Sequence, residues 1–63
     1  MNKDSVSRNQ AIREYLKRHG HASVHELATA FFFSEATIRR ILTDLERSGQ
    51  IQRTHGGAIY GPS

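Results

Sequence analysis

Apolar residues recur along this chain at helical spacing three times, and then the period is lost. Between Ser7 and Gly20, the residues Ala11, Ile12, Tyr15 and Leu16 fall on one helical face. Ser7 followed by Gln10 has the spacing of a capping box, and Gly20 supplies a residue able to end the helix. A second stripe, Val24, Leu27, Ala28 and Phe31, follows the i, i+3, i+4, i+7 rule behind another capping pair, Ser23 and Glu26. The third consists of Ile38, Leu42 and Leu45 with Ile41 at its edge. Ser34 is its N-cap, Glu35 suits its positive end, Phe33 is placed to staple onto Ile38, and Gly49 ends it.

From Gln50 to Tyr60 no helical stripe survives. Two short β-capable runs flank Gly56-Gly57, the pattern of a hairpin. His21-Ala22-Ser23 is too short for a strand alone but able to pair with that hairpin. Residues 1–6 carry no pattern and are expected to form a disordered tail. Residues 7–60 read as one domain, and 61–63 as a linker or C-terminal tail. Only Phe32 to Ser34 separate the second and third helices. The predicted fold is mainly α with a small β-hairpin, in the order of a three-helix winged helix-turn-helix.

Composition narrows the use of such a fold. Sixty-three residues support one small core. There is no cysteine, which excludes a disulfide framework and a thiolate zinc site. No apolar run approaches the roughly 20 residues of a membrane span, and Met1-Asn2-Lys3-Asp4 does not open a signal peptide. A soluble, cytoplasmic protein with no membrane partner is expected. Nine Lys and Arg against six Asp and Glu give a net charge of +3, a modest sign of an anionic partner. Placement says more than the total, because Arg39, Arg40, Arg47 and Arg53 all lie in the C-terminal half. Lys17 and Arg18 instead suit the negative pole of the first helix.

At about 100° per residue, Ala36, Arg40, Thr43 and Arg47 point away from Ile38. Thr37 and Asp44 lie on one shoulder and Arg39 on the other. A small residue lets a helix approach DNA closely, Arg bonds guanine in bidentate fashion, and Thr meets a thymine methyl or a phosphate. Ala36, Thr37, Arg39, Arg40 and Thr43 are therefore the candidates for base readout. Ser34, Arg47, Arg53, Thr54, His55 and Gly56 are the candidates for the DNA backbone, the Gly-Gly tip allowing amides near a phosphate. A merely solvated helix face would look similar. What favours DNA is its position behind a capped helix and a tight turn. His19, His21 and His25 share no helical face, so no metal or cofactor is expected. No nucleophile, base and orienting group come together, so no enzyme is expected either. Phe32, at the turn, is a bulky aromatic where positive φ is often wanted, hence either strained or exposed.

The run Ser34-Glu35-Ala36-Thr37-Ile38-Arg39-Arg40, then Leu42, Leu45-Glu46 and Gly49, leads into Arg53-Thr54-His55-Gly56-Gly57-Ala58. Together with Ile12, Leu16, Gly20, Val24 and Glu26-Leu27-Ala28 it closely resembles the DNA-binding domain of DeoR-type repressors. The likeness spans roughly residues 7–60. It implies a third helix in the major groove of a double-stranded operator, a wing on the flanking backbone, and repression of a sugar or related metabolite operon. Such repressors usually carry a larger C-terminal domain that senses a phosphorylated metabolite and oligomerises. That domain is not in this sequence, which is either a fragment or a stand-alone relative, expected to be monomeric in isolation. Two positions depart from the pattern. Ile41 follows the paired arginines where an acidic residue is usual, and Phe32 stands where a small or polar one is usual. A protein-interaction module anchored on Phe32 and an RNA-binding winged helix are the alternative readings.

Overall fold

The computed structural model describes residues 3–61, and side chains from residue 7 onward. The described residues form three helices and a three-stranded sheet. Helix α1 spans Lys3–His19, so it runs straight through Ser7 instead of starting there. The expected tail is helical from Lys3; residues 1 and 2 lie outside the described residues, as do 62 and 63. Residues 3–6 contain neither Gly nor Pro, so a helix nucleated downstream propagates back through them cheaply. Ile12 and Leu16 are buried and Tyr15 is half-buried, while Ala11 turns out to be exposed. The stripe of α1 is thus narrower than its sequence suggests. Gly20, with φ +87°, closes the helix by donating its N–H to the Leu16 carbonyl.

Strand β1 (His21–Ser23) leads directly into α2 (Val24–Phe31). Ser23 caps α2, its Oγ accepting the Glu26 N–H at 2.9 Å. The Glu26 carboxylate is turned to another task and accepts the Tyr15 hydroxyl at 2.8 Å. This bond links α1 to α2. Together with some burial and the nearby negative charge, it holds the Tyr15 phenol above its ordinary pKa. Phe31 meets Tyr15 edge-on at 5.6 Å, and the Phe31 and Phe33 rings lie 6.3 Å apart.

Helix α2 ends at Phe32, which adopts φ 59° and ψ 38° and is 92% exposed. It is the one left-handed non-glycine residue among those described, and it is strained as well as exposed. The N–H groups of Phe32 and Phe33 both reach the Ala28 carbonyl, so the turn is hydrogen-bonded even though its side chain is the wrong shape for it. Helix α3 (Glu35–Arg47) follows, burying Ile38, Ile41, Leu42 and Leu45. Its exit is a Schellman arrangement. Gly49 N–H donates to the Glu46 carbonyl at 2.9 Å and Gln50 N–H to the Leu45 carbonyl at 3.1 Å, around a Gly49 φ of +78°.

Strands β2 (Ile51–Thr54) and β3 (Gly57–Tyr60) form the hairpin, and the sheet order is β1-β3-β2, all antiparallel. His21, Ala22 and Ser23 pair with Ile59, Ala58 and Gly57, so the short run ahead of α2 does join the hairpin. The Gly56 carbonyl then accepts the Val24 N–H at 2.8 Å, fastening the hairpin turn to the first residue of α2. Gly57 permits this closeness, since a Cβ there would lie 2.4 Å from the Ala22 carbonyl oxygen. Ala22, Val24, Leu27, Ile51 and Ala58 complete the core laid down by α1 and α3.

Two substitutions separate these effects. Gly57→Ala should cost about 1–3 kcal/mol, because the clash is with backbone that cannot swing away. Phe32→Gly should instead stabilise the domain by about 1 kcal/mol, the left-handed penalty of an L-residue less the entropy of glycine in the unfolded chain. Urea unfolding followed by circular dichroism measures both.

Candidate nucleic-acid interface

Helix α3 presents to solvent whatever its buried stripe leaves over. Ala36, Arg39, Arg40, Asp44 and Arg47 are exposed, and Thr37 and Thr43 are half-buried on the flanks. The local frame comes from the cap. Ser34 Oγ accepts the Thr37 N–H at 3.1 Å and donates to Thr37 Oγ1 at 2.9 Å. That pair fixes the Thr37 rotamer and leaves its own hydroxyl hydrogen for a ligand. Ala36, Thr37 and Arg40 line one open hollow on this face. The side chains of Arg40 and Arg47 form no hydrogen bond or ion pair among the described residues, so their donors remain for an anion or a base edge.

Arg39 is placed differently. Its Nη2 donates to Glu35 Oε1 at 3.2 Å, one turn back along α3, while Glu35 Oε2 lies 3.4 Å from His25 Nδ1 on α2. Ile41, where the resemblance to DeoR-type repressors leads to the expectation of an acid, is 3% exposed and belongs to the core. The acid that orients Arg39 therefore sits before the arginine pair. In the sequence Glu35 reads as a helix-dipole residue, and its i, i+4 spacing to Arg39 is the signal that marks the pair.

The wing splits the backbone candidates in two. Thr54, His55 and Gly56 are exposed at the hairpin turn, where Gly56 takes φ +81°. Arg53 is half-buried and faces α3. Its Nη1 donates to Thr43 Oγ1 at 3.2 Å, and Thr43 Oγ1 donates in turn to the Arg39 carbonyl at 2.9 Å. The Arg53 backbone N–H donates to Glu46 Oε2 at 3.3 Å. Arg53 Nε is buried with no hydrogen-bond partner among the described residues. Glu46 and the Arg53–Thr43 pairing went unseen in sequence, because they join side chains from separate elements.

His19 packs on the Tyr15 ring at 4.2 Å, and His21 and His25 are exposed. Among the described residues no three potential metal ligands gather, and no helix is long and apolar enough to cross a membrane.

Two helices joined by a tight turn, braced by a third and flanked by a hairpin on a small sheet, define a winged helix-turn-helix. The chain belongs to the family described as the DeoR-like helix-turn-helix domain, which matches residues 8–63. It is a helix-turn-helix domain of the DNA-binding kind that proteins named as transcriptional regulators carry. It is 44% identical over 52 residues to the L-fucose operon activator of Haemophilus influenzae, covering 82% of this chain and 21% of that protein. A putative galactitol utilization operon repressor of Escherichia coli is 41% identical over 58 residues, 92% of this chain and 52% of its own. The HTH-type transcriptional regulator GlpR of Haloferax volcanii is 42% identical over 54 residues, 86% of this chain and 21% of that protein. The chain thus spans between about a fifth and about half the length of these relatives. No solved structure matches it.

Ser34→Ala removes both bonds to Thr37 and should destabilise the domain by about 1 kcal/mol. Thermal unfolding reads the loss, and the Thr37 amide resonance should move more than any outside the first turn of α3.

Proposed function

We propose that this domain reads an operator by inserting α3 into the major groove of duplex DNA while the hairpin rests on the adjacent sugar-phosphate backbone. One observation carries the reading: a capped, core-anchored helix turns Ala36, Thr37 and Arg40 outward around a common hollow, with the Arg40 donors unengaged among the described residues. In this reading Ala36, Thr37, Arg39 and Arg40 meet base edges, where Ala36 permits close approach and Arg40 suits guanine. Ser34, Arg47, Thr54, His55 and Gly56 meet the backbone. Binding needs no metal, cofactor or catalytic step.

The regulated genes are those of a sugar or related metabolite. The relatives' names support this, being regulators of L-fucose and galactitol operons. Those names include one activator and one repressor. Repression is the simpler mechanism for this domain, because a module seated on promoter DNA blocks polymerase without any further contact surface. Effector sensing and oligomerisation fall to parts of the longer relatives that this chain does not match. The domain by itself is a monomer, working in the cytoplasm on nucleoid DNA. Phe32, 92% exposed, supports a second reading, in which the turn docks a protein.

Titration with duplex DNA at two salt concentrations, followed by amide shifts, tests the assignment. Shifts should concentrate at residues 34–47 and 53–57 and fade steeply with salt. Arg40→Ala should cost about 1–3 kcal/mol and relax preference at one base pair, whereas Arg47→Ala should weaken all sequences alike and reduce the salt slope by about 1. A wild-type domain that binds no duplex at low salt overturns the reading and leaves the Phe32 surface in its place.

A further inference from the structure

We infer that Arg53 and Thr43 are not DNA contacts but positioning residues, a strut that sets the angle between the wing and the reading helix. The inference rests on the proposed function for its consequence and on intramolecular geometry for its existence. The Arg53 guanidinium, from β2, donates to Thr43 Oγ1 at 3.2 Å, and that hydroxyl passes the bond on to the Arg39 carbonyl at 2.9 Å. One strand is thereby tied to the backbone of the turn of α3 that carries Arg39 and Arg40. The Arg53 backbone N–H adds a second tie at Glu46, one turn further along the same helix.

The electrostatics agree. Arg53 Nε is buried, without a hydrogen-bond partner among the described residues, so part of the guanidinium has left solvent to lie against the protein. With Nε buried and Nη1 bonded to Thr43, less of the fork is left to meet a phosphate. Thr43 is committed likewise: its one hydroxyl hydrogen goes to the Arg39 carbonyl and its oxygen accepts from Arg53. The exposed cations beside the strut, Arg39, Arg40 and Arg47, retain the electrostatic attraction to DNA. The strut then governs which bases those residues meet and how the hairpin turn falls on the backbone.

Arg53→Ala, Arg53→Lys, Thr43→Val and the double variant Arg53→Ala/Thr43→Val separate the alternatives. In the free domain, the effects of Arg53→Ala and Thr43→Val on the unfolding constant should be non-additive by about five-fold, the range of contacting residues. Each single variant should shift amides from Arg39 to Arg47. With duplex DNA, Arg53→Ala and Thr43→Val should alter preference at the same base pairs and leave the salt slope nearly unchanged. Arg53→Lys should fail to restore the preference, because an ammonium lacks the guanidinium's fork. The strut is refuted if the two effects on unfolding are additive. It is equally refuted if Arg53→Ala lowers the salt slope by about 1 and Arg53→Lys restores binding, the signature of a phosphate contact. If wild-type protein ignores duplex DNA, the proposed function fails alone and the unfolding cycle still decides the strut.

Discussion

The buried stripe of α3 is the constraint on which the rest of the molecule hangs. Ile38, Ile41, Leu42 and Leu45 are all within 3% of complete burial, and each such side chain is worth about 1.5–3 kcal/mol. Their sum is comparable to the whole stability of about 5–15 kcal/mol expected of a native domain. No register of α3 other than this one satisfies the stripe. What faces outward is therefore settled by what faces inward, and Ala36, Arg40 and Arg47 are held out by the core. Ile41 shows the trade. An apolar residue after the arginine pair widens the stripe, and the acidic partner of Arg39 is Glu35, one turn before it.

Around that helix the small sheet works as a clamp. Close approach at Gly57 lets β1 lie on β3, and the Gly56 carbonyl holds the first N–H of α2. The hairpin is in this way fastened near its turn to two helices, to α2 through backbone and to α3 through Arg53, Thr43 and Glu46. The hairpin is tied to both helices of the motif, so a partner that docks on them meets a geometry already set, with little ordering left to do.

The helices, the hairpin and even the pairing of His21-Ala22-Ser23 with a later strand were legible in the sequence. Their determinants are local: stripes at helical spacing, Ser23 and Ser34 as caps, Gly49 as terminator. Phe32 was legible too, as a conflict between side chain and backbone that the structure resolves by tolerating the strain. The start of α1 was not legible, because a polar segment without breakers extends a helix while showing no stripe. Ala11 was misplaced because a narrow stripe of Ile12 and Leu16 leaves its neighbour in solvent. In the candidate site, the outward face of α3 followed from its periodicity. Arg53 is where sequence reasoning ran out. A basic residue beside a turn looks alike whether it points to solvent or folds back on a threonine ten positions earlier, and only tertiary packing distinguishes the two.

The pairing of β1 with β3 bears on how the domain comes into being. It joins residues 21–23 to residues 57–59, so all of α2, α3 and β2 must be looped out before the first pair forms. Helical turns close quickly and locally, whereas this contact carries the entropy of a long loop and belongs late in folding. During synthesis α1, α2 and α3 emerge before β3 exists, and until it does the leading N–H of α2 has no Gly56 carbonyl to meet. On the ribosome the three helices are made before the sheet can close, and the β1–β3 pairing waits until Gly57–Tyr60 clears the exit tunnel.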